Sequence, residues 1–227
     1  MARLPRLVIP GLPHLVIHRG HAGADIVVDD EDRAGLLGQV REAAARHGWR
    51  LHAWGIERDA LSLLLTPASP HALSKAMQEL AHRHAVAFNA RHRRQGALWA
   101  GRFRCAPLQP GRHVLAALCL IERPAVRDDG AAPAHGRSSA AHHLGLVRDP
   151  AIVECAEVWQ LGNTPFEREN ALQGLLMEES TDSLQRELEA AVQRGRIAAD
   201  AQFRQALSAR TGLVLVSRPR GRPRRAR

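Results

Sequence analysis

The sequence predicts an α+β protein: a ferredoxin-like antiparallel sheet with helices on one face, a helical C-terminal region and a basic tail. Three observations predict it. The order of candidate elements in the first part of the chain is strand–helix–strand–strand–helix–strand, which is the ferredoxin-like pattern. Two apolar runs, Leu51–Ile56 and Leu61–Leu65, flank the polar corner Glu57-Arg58-Asp59 and read as paired central strands. Beyond residue 146 strands give way to short amphipathic segments that end in an arginine-rich stretch. The expected organisation is a sheet domain over 1–146, a helical region over 147–212 and a basic tail over 213–227.

The elements follow in order. Residues 14–19 form a short strand candidate closed by Gly20, and 25–28 either a brief strand or an extended lead into a helix. Asp29 or Asp30 offers an N-cap, and Leu36, Leu37, Val40 and Ala44 recur at helical spacing until Gly48 stops the helix. The hairpin comes next. Ser69-Pro70 starts a second helix, with serine as the cap and proline in the first turn. Its core face is Leu73, Met77, Leu80, Ala81, His84 and Phe88. Residues 102–108 read as a further strand, and Arg112–Glu122 as a third helix ended by Pro124. Residues 127–137 read as a loop and 138–146 as a short helix. The segments 151–161, 165–178, 182–194 and 199–210 read as amphipathic helices. Residues 217–227 cannot build a core and are expected to be disordered.

Composition narrows the function classes. With 227 residues, 45% of them hydrophobic, the chain is long enough to bury a core. Its formal net charge is +9, and Lys75 is the only lysine, so the cations are almost all arginine. Arginine is suited to phosphate and base edges; a GC-rich genome gives the same bias. Cys105, Cys119 and Cys155 are too far apart for a zinc knuckle and odd in number. A reducing cytoplasm is therefore the expected compartment. No apolar run approaches the roughly 20 residues of a membrane span, and the proline-broken N-terminus is not expected to be a signal peptide.

No Asp or Glu lies between Glu79 and Glu122, an interval holding Arg83, Arg91, Arg93, Arg94, Arg102, Arg104 and Arg112. Such a run is a phosphate-binding footprint, or else a solvated basic face. Trp99 and Phe103 among these arginines either stack on unpaired bases or pack in the core. The tail residues Arg220-Gly221-Arg222-Pro223-Arg224 match an AT-hook pattern, whose arginines suit the negative, narrow minor groove of A·T-rich duplex. A generic polyarginine tail is the rival reading.

Several motifs stand in register. They are Arg3-Leu-Pro-Arg-Leu-Val-Ile-Pro-Gly11, His18-Arg-Gly20, Asp29-Asp-Glu-Asp-Arg33, Gly48-Trp-Arg-Leu-His-Ala-Trp54, Leu63-Leu-Leu-Thr-Pro67, Leu98-Trp-Ala-Gly-Arg-Phe-Arg104 and Ser138-Ser139. Together they resemble the insertion-sequence-200-like transposases (HUH single-strand transposases), especially the REP-associated tyrosine group, over residues 2–146. The resemblance implies DNA transposition chemistry. A histidine pair on a central strand holds Mg²⁺ or Mn²⁺ against the scissile phosphate, and a tyrosine on a later helix attacks it. It also implies a DNA hairpin or repeat as partner and a homodimer.

At the positions that the resemblance assigns to the histidines stand Ala60 and Ser62, and at the tyrosine position Cys119; the sequence contains no tyrosine at all. Arg137 replaces the tryptophan expected before Ser138. The expectation is a degenerate site with no catalytic residue, no metal ligand and no cofactor. Substitutes are weak: Cys119 lies on an apolar face, His52 and His84 read as structural, and Glu57 with Asp59 offers only turn carboxylates. DNA contacts are then expected from Arg19, Arg83, Arg91, Arg93, Arg94, Trp99, Arg102 and Arg104, with Arg220, Gly221, Arg222, Pro223 and Arg224 of the tail. Three readings stay open: an inactive DNA binder at the bacterial nucleoid, a nuclease or transposase using other residues, and a decaying gene product or protein-interaction module.

Overall fold

The computed structural model describes residues 6–127, 136–178 and 182–215. Four strands, β1 (His14–Arg19), β2 (Arg50–Ile56), β3 (Ala60–Thr66) and β4 (Arg104–Pro107), form one antiparallel sheet in the order β2-β3-β1-β4. With α1 (Asp30–His47) between β1 and β2, and α2 (Pro70–Arg91) between β3 and β4, this is the βαββαβ arrangement that the sequence predicts. Residues 25–28 bend against the hairpin corner, where the Ile26 N–H donates to the Arg58 carbonyl at 2.6 Å, and do not join the sheet.

Local chemistry sets the helix ends. The Asp32 N–H donates to the Asp29 side chain, 3.0 Å, and Gly48 closes α1 in the left-handed region at φ 66°. Ser69 caps α2 by accepting from the Ala72 N–H at 3.2 Å. Both helices lie on one face. There Leu36, Leu37 and Val40 of α1, and Leu73, Met77 and Leu80 of α2, cover Val16, Leu61, Leu63 and Leu65 of the sheet. Each such leucine contributes roughly 1.5–3 kcal/mol by burial.

The opposite face carries the rest of the chain. The helix α3 (Arg112–Arg127) lies across it, and Leu15, Ala53, Leu64 and Ala106 share one core with Val114, Leu118 and Ile121. The short α4 (Ala140–His143) and α5 (Ala156–Trp159) follow, then α6 (Pro165–Met177), α7 (Asp182–Arg194) and α8 (Ala201–Thr211). Leu172, Leu176, Leu188 and Val192 of α6 and α7 complete that same core, so residues beyond 146 are packed onto the sheet rather than standing apart from it. Pro124 does not end α3. It removes one backbone donor, but Ala125 and Val126 beyond it are buried and hold the helix on course.

Both edges of the sheet carry added backbone pairing. Beside β2, Leu51 bridges Ile152 and Gly55 bridges Ser138; beside β4, Leu108 bridges Ala198. The loop expected over 127–137 falls mostly outside the described residues, as does the tail from residue 216, including Arg220, Gly221, Arg222, Pro223 and Arg224.

Candidate functional site

Side chains alternate across a strand. Leu61, Leu63 and Leu65 point to the α1/α2 face, so Ala60 and Ser62 share the other face with Leu64, beneath α3. Ala60 is buried opposite Arg19, and half-buried Ser62 stands between Ile17 and Gly55. Gly55 is where α3 comes closest. A Cβ there would lie 3.0 Å from both Cγ2 and the carbonyl oxygen of Ile121. Glycine thus lets the helix settle on β2.

Ala60 offers no ligand atom and Ser62 only a hydroxyl, so the pair does not fit a divalent ion bound through two imidazoles. Cys119 does not substitute for a nucleophile. With Leu115, Leu120 and Arg123 it lines a groove between α3 and residues Leu175 and Leu184, a groove that Ser62 does not line. Burial pushes its thiol up to about 11, which suppresses the thiolate. His52 donates from Nδ1 to the Val153 carbonyl, 2.7 Å, and its Nε2 takes the Thr66 hydroxyl, 2.9 Å. His84 donates to the Ile26 carbonyl at 2.7 Å. Both histidines are structural. At the hairpin corner Asp59 pairs with Arg19, 3.8 Å, and Arg58 with Asp25, 2.6 Å. That corner, with Arg33 and Arg137, faces Ile121, Pro124 and Ala125 across a cleft of about 280 Å³.

A polar cluster that the sequence does not announce lies behind β2. Glu122 of α3 and His143 of α4 have fully buried side chains, with His143 Nδ1 2.6 Å from Glu122 Oε1. The Ser139 hydroxyl also donates to that oxygen and receives the Trp54 N–H at 2.9 Å. His143 Nε2 lies 3.6 Å from Glu154 Oε2, and His142 Nε2 lies 3.1 Å from Glu154 Oε1. Burial opposes a charge on His143. The nearby Glu122 carboxylate, its hydrogen bond and Glu154 outweigh that penalty, so the His143 pKa is raised. The arrangement favours the imidazolium form of His143, between the Glu122 and Glu154 carboxyl groups.

His142, His143 and Glu154 bring ligand atoms within 4.8 Å of one another. However, His142 Nδ1 accepts the Asp149 N–H at 3.0 Å, which leaves the ring proton on Nε2. The raised pKa of His143 favours a proton on its Nε2 as well, so Glu154 alone offers a proton-free ligand atom, too few for a metal site. The cluster reads as an internal ionic lock joining α3, α4 and β2.

The predicted DNA-contacting residues divide into two sets. Arg91 donates to Asp29, Asp32 and Glu31 at 2.6–2.9 Å and ties α2 to the start of α1. Arg83 pairs with Glu42 at 2.7 Å. Trp99 is in the core: it stacks on His18, with centroids 4.1 Å apart, and donates to the Ala81 carbonyl. Arg91, which stays exposed, and Trp99, which is buried, thus both have internal partners distant in sequence. Phe103 is likewise buried, under the Arg6 guanidinium. Arg93 and Arg102 are exposed, Arg94 leans over the Phe88 ring, and Arg104 donates to the Gln193 carbonyl at 2.7 Å.

No protein-family model matches the chain, and no curated protein matches it. Solved structures do. A REP-associated tyrosine transposase, solved bound to a REP hairpin, aligns over 69% of this chain and 93% of its own, with TM-score 0.51 and 12% identity. A putative transposase from Deinococcus radiodurans is 23% identical over 58% of this chain and 100% of its own, with a TM-score of 0.39. Among the described residues no helix is long and apolar enough to cross a membrane. The chain therefore has the fold of the REP-associated tyrosine transposase, the fold its sequence motifs imply.

Proposed function

We propose that this chain is a DNA-binding protein on a transposase scaffold that lacks tyrosine-based, metal-dependent strand transfer. One observation carries the second half: the sequence contains no tyrosine, and Ala60 and Ser62 occupy the strand positions where the resemblance asks for two histidines. A side-chain nucleophile and a cation offsetting phosphoryl charge are both needed for that chemistry. The first half rests on the shared fold, since the matched transposase was solved on a REP hairpin, and on the positive charge of the chain. On this reading the ligand is a structured DNA such as a hairpin or repeat. The protein works at the nucleoid, a homodimer is its expected assembly, and tail residues 220–224 add contacts to A·T-rich duplex.

The test is one oligonucleotide hairpin with single-stranded flanks, used in two assays. Fluorescence anisotropy is expected to show binding that weakens steeply with salt. Incubation with Mn²⁺ or Mg²⁺ is expected to leave the strand intact. A nicked strand, or a covalent protein–DNA adduct surviving denaturation, overturns the loss of chemistry; no binding at low salt overturns the DNA reading itself.

A further inference from the structure

The positive charge of this protein is not spread over its fold. Residues 190–227 hold ten arginines and a single acid, Asp200. Removing them from the totals of 32 cations and 23 acids leaves residues 1–189 with 22 of each, because a net +8 over residues 80–148 is offset by a net −8 over 149–189; the last segment carries +9 with nothing after it to offset it. In the sheet domain several arginines meet acids: Arg83 meets Glu42, Arg91 meets three carboxylates, Arg58 meets Asp25 and Arg19 meets Asp59.

The C-terminal segment is differently placed. The chain leaves α7 through Gly195, at φ 62°, and runs beside β4, where the Ala198 N–H donates to the Pro107 carbonyl and the Gln109 N–H to the Ala198 carbonyl, 2.9 Å each. Ile197, Ala199 and Leu207 then pack on Ile9 and fix α8. This framework gathers Arg194, Arg196 and Arg204 around a concavity of about 440 Å³, which Leu215 also lines. Arg194 and Arg196 are exposed, and among the described residues neither has a carboxylate partner. Arg204 is anchored through a donor to the Ala199 carbonyl. The acid at the rim, Glu187, faces His113 at 3.3 Å, and Asp200 is engaged capping α8 and holding Gln109. Beyond Leu215 the sequence adds six more arginines and no acid.

We propose that the Arg194–Arg196–Arg204 concavity is a phosphate-binding site for the DNA backbone. The C-terminal helices thus supply an electrostatic contact separate from the arginine-rich stretch 83–112. The inference rests on the DNA-binding reading and assigns its location. The geometry suits the chemistry: two free guanidinium groups flank a concavity with a third fixed by the backbone, and arginine grips phosphate oxygens through paired N–H donors. Contacts of this kind carry little base information and position the protein on its ligand.

The experiment uses the full chain and the hairpin oligonucleotide. Each phosphate contact contributes about 0.9 to the slope of log K against log salt on duplex. The double variant Arg194→Gln/Arg196→Gln is expected to lower that slope by about 2. A charge-matched control, Arg46→Gln/Arg148→Gln, lies outside the concavity and is expected to keep the wild-type slope. Far-UV circular dichroism and the melting midpoint check that both variants fold. If wild type binds but the two variants have equal slopes, the assignment of the site is overturned while DNA binding stands. If wild type itself does not bind, the DNA reading fails first, so the two failures are distinguishable.

Discussion

Replacing His143 with leucine removes both ring N–H donors from the buried cluster behind β2. The Glu122 carboxylate then stays fully buried with the Ser139 hydroxyl as its remaining named partner. Breaking a buried ion pair by deleting one member costs about 3–5 kcal/mol, because the other charge is left uncompensated. Glu154 softens the loss, since about a quarter of its side chain reaches solvent and can rehydrate. The expected loss is therefore about 3 kcal/mol, near the lower end of that range. The double variant His143→Leu/Glu122→Leu is expected to recover part of it, because neither charge is then stranded. Urea unfolding at several pH values measures all three proteins. The sign follows from the raised pKa of His143. Its contribution is complete below the unfolded value of 6.5 and is lost as pH rises through the higher folded value. The gap between wild type and His143→Leu should therefore narrow at alkaline pH. A gap under about 1 kcal/mol, or one that widens with pH, refutes the buried imidazolium.

Other outcomes test the remaining contacts. Added Zn²⁺ or EDTA is expected to leave the melting temperature unchanged, because the His142 proton faces Glu154; a rise of several degrees with Zn²⁺ refutes that tautomer. Gly55→Ala is expected to cost about 1–3 kcal/mol by pushing α3 off β2, and an unchanged urea midpoint contradicts the close approach to Ile121. Arg91→Ala should lower the melting temperature while DNA affinity stays near wild type. The difference should fade in acid, as pH falls below 3.8 towards the Asp29 value of about 2, where protonation ends the pairing that the arginine supports. Native protein is expected to react slowly with a disulfide reagent at pH 8, since burial holds Cys105 and Cys119 near 11 and Cys155 near 12; fast labelling of Cys119 contradicts its burial.

The sheet and its first two helices are legible in the sequence because their causes are local. The apolar run Leu61–Leu65, the caps at Asp29 and Ser69, and Gly48 are short-range signals, and the structure places each where the sequence does. The continuation of α3 past Pro124 is not local, because it depends on Ala125 and Val126 finding a core made by other segments. Trp99 reads equally as a base platform or a core residue, and only the His18 ring and the Ala81 carbonyl decide between them. Glu122 looks like the polar end of an amphipathic helix. Its partners Ser139 and His143 lie 17 and 21 residues away, across a segment that no periodicity spans. One signal is simple: a running charge count stands at zero at residue 79, climbs to +8 at Arg148, returns to zero at Glu189 and then rises to +9 over the last 38 residues.

The added pairing along both outer strands limits how copies of this protein can associate. An exposed strand edge is a template on which a second chain adds its own strand. Here Ile152 and Ser138 bridge the β2 side, and Ala198 bridges the β4 side. A continuous sheet running through two protomers would first have to strip these segments away and break the Val153–Leu51 or Ala198–Pro107 backbone bonds. Pairing of two copies through their sheet edges is accordingly disfavoured. The same closure protects the leucine-rich centre of the sheet from edge-to-edge polymerisation at high local concentration.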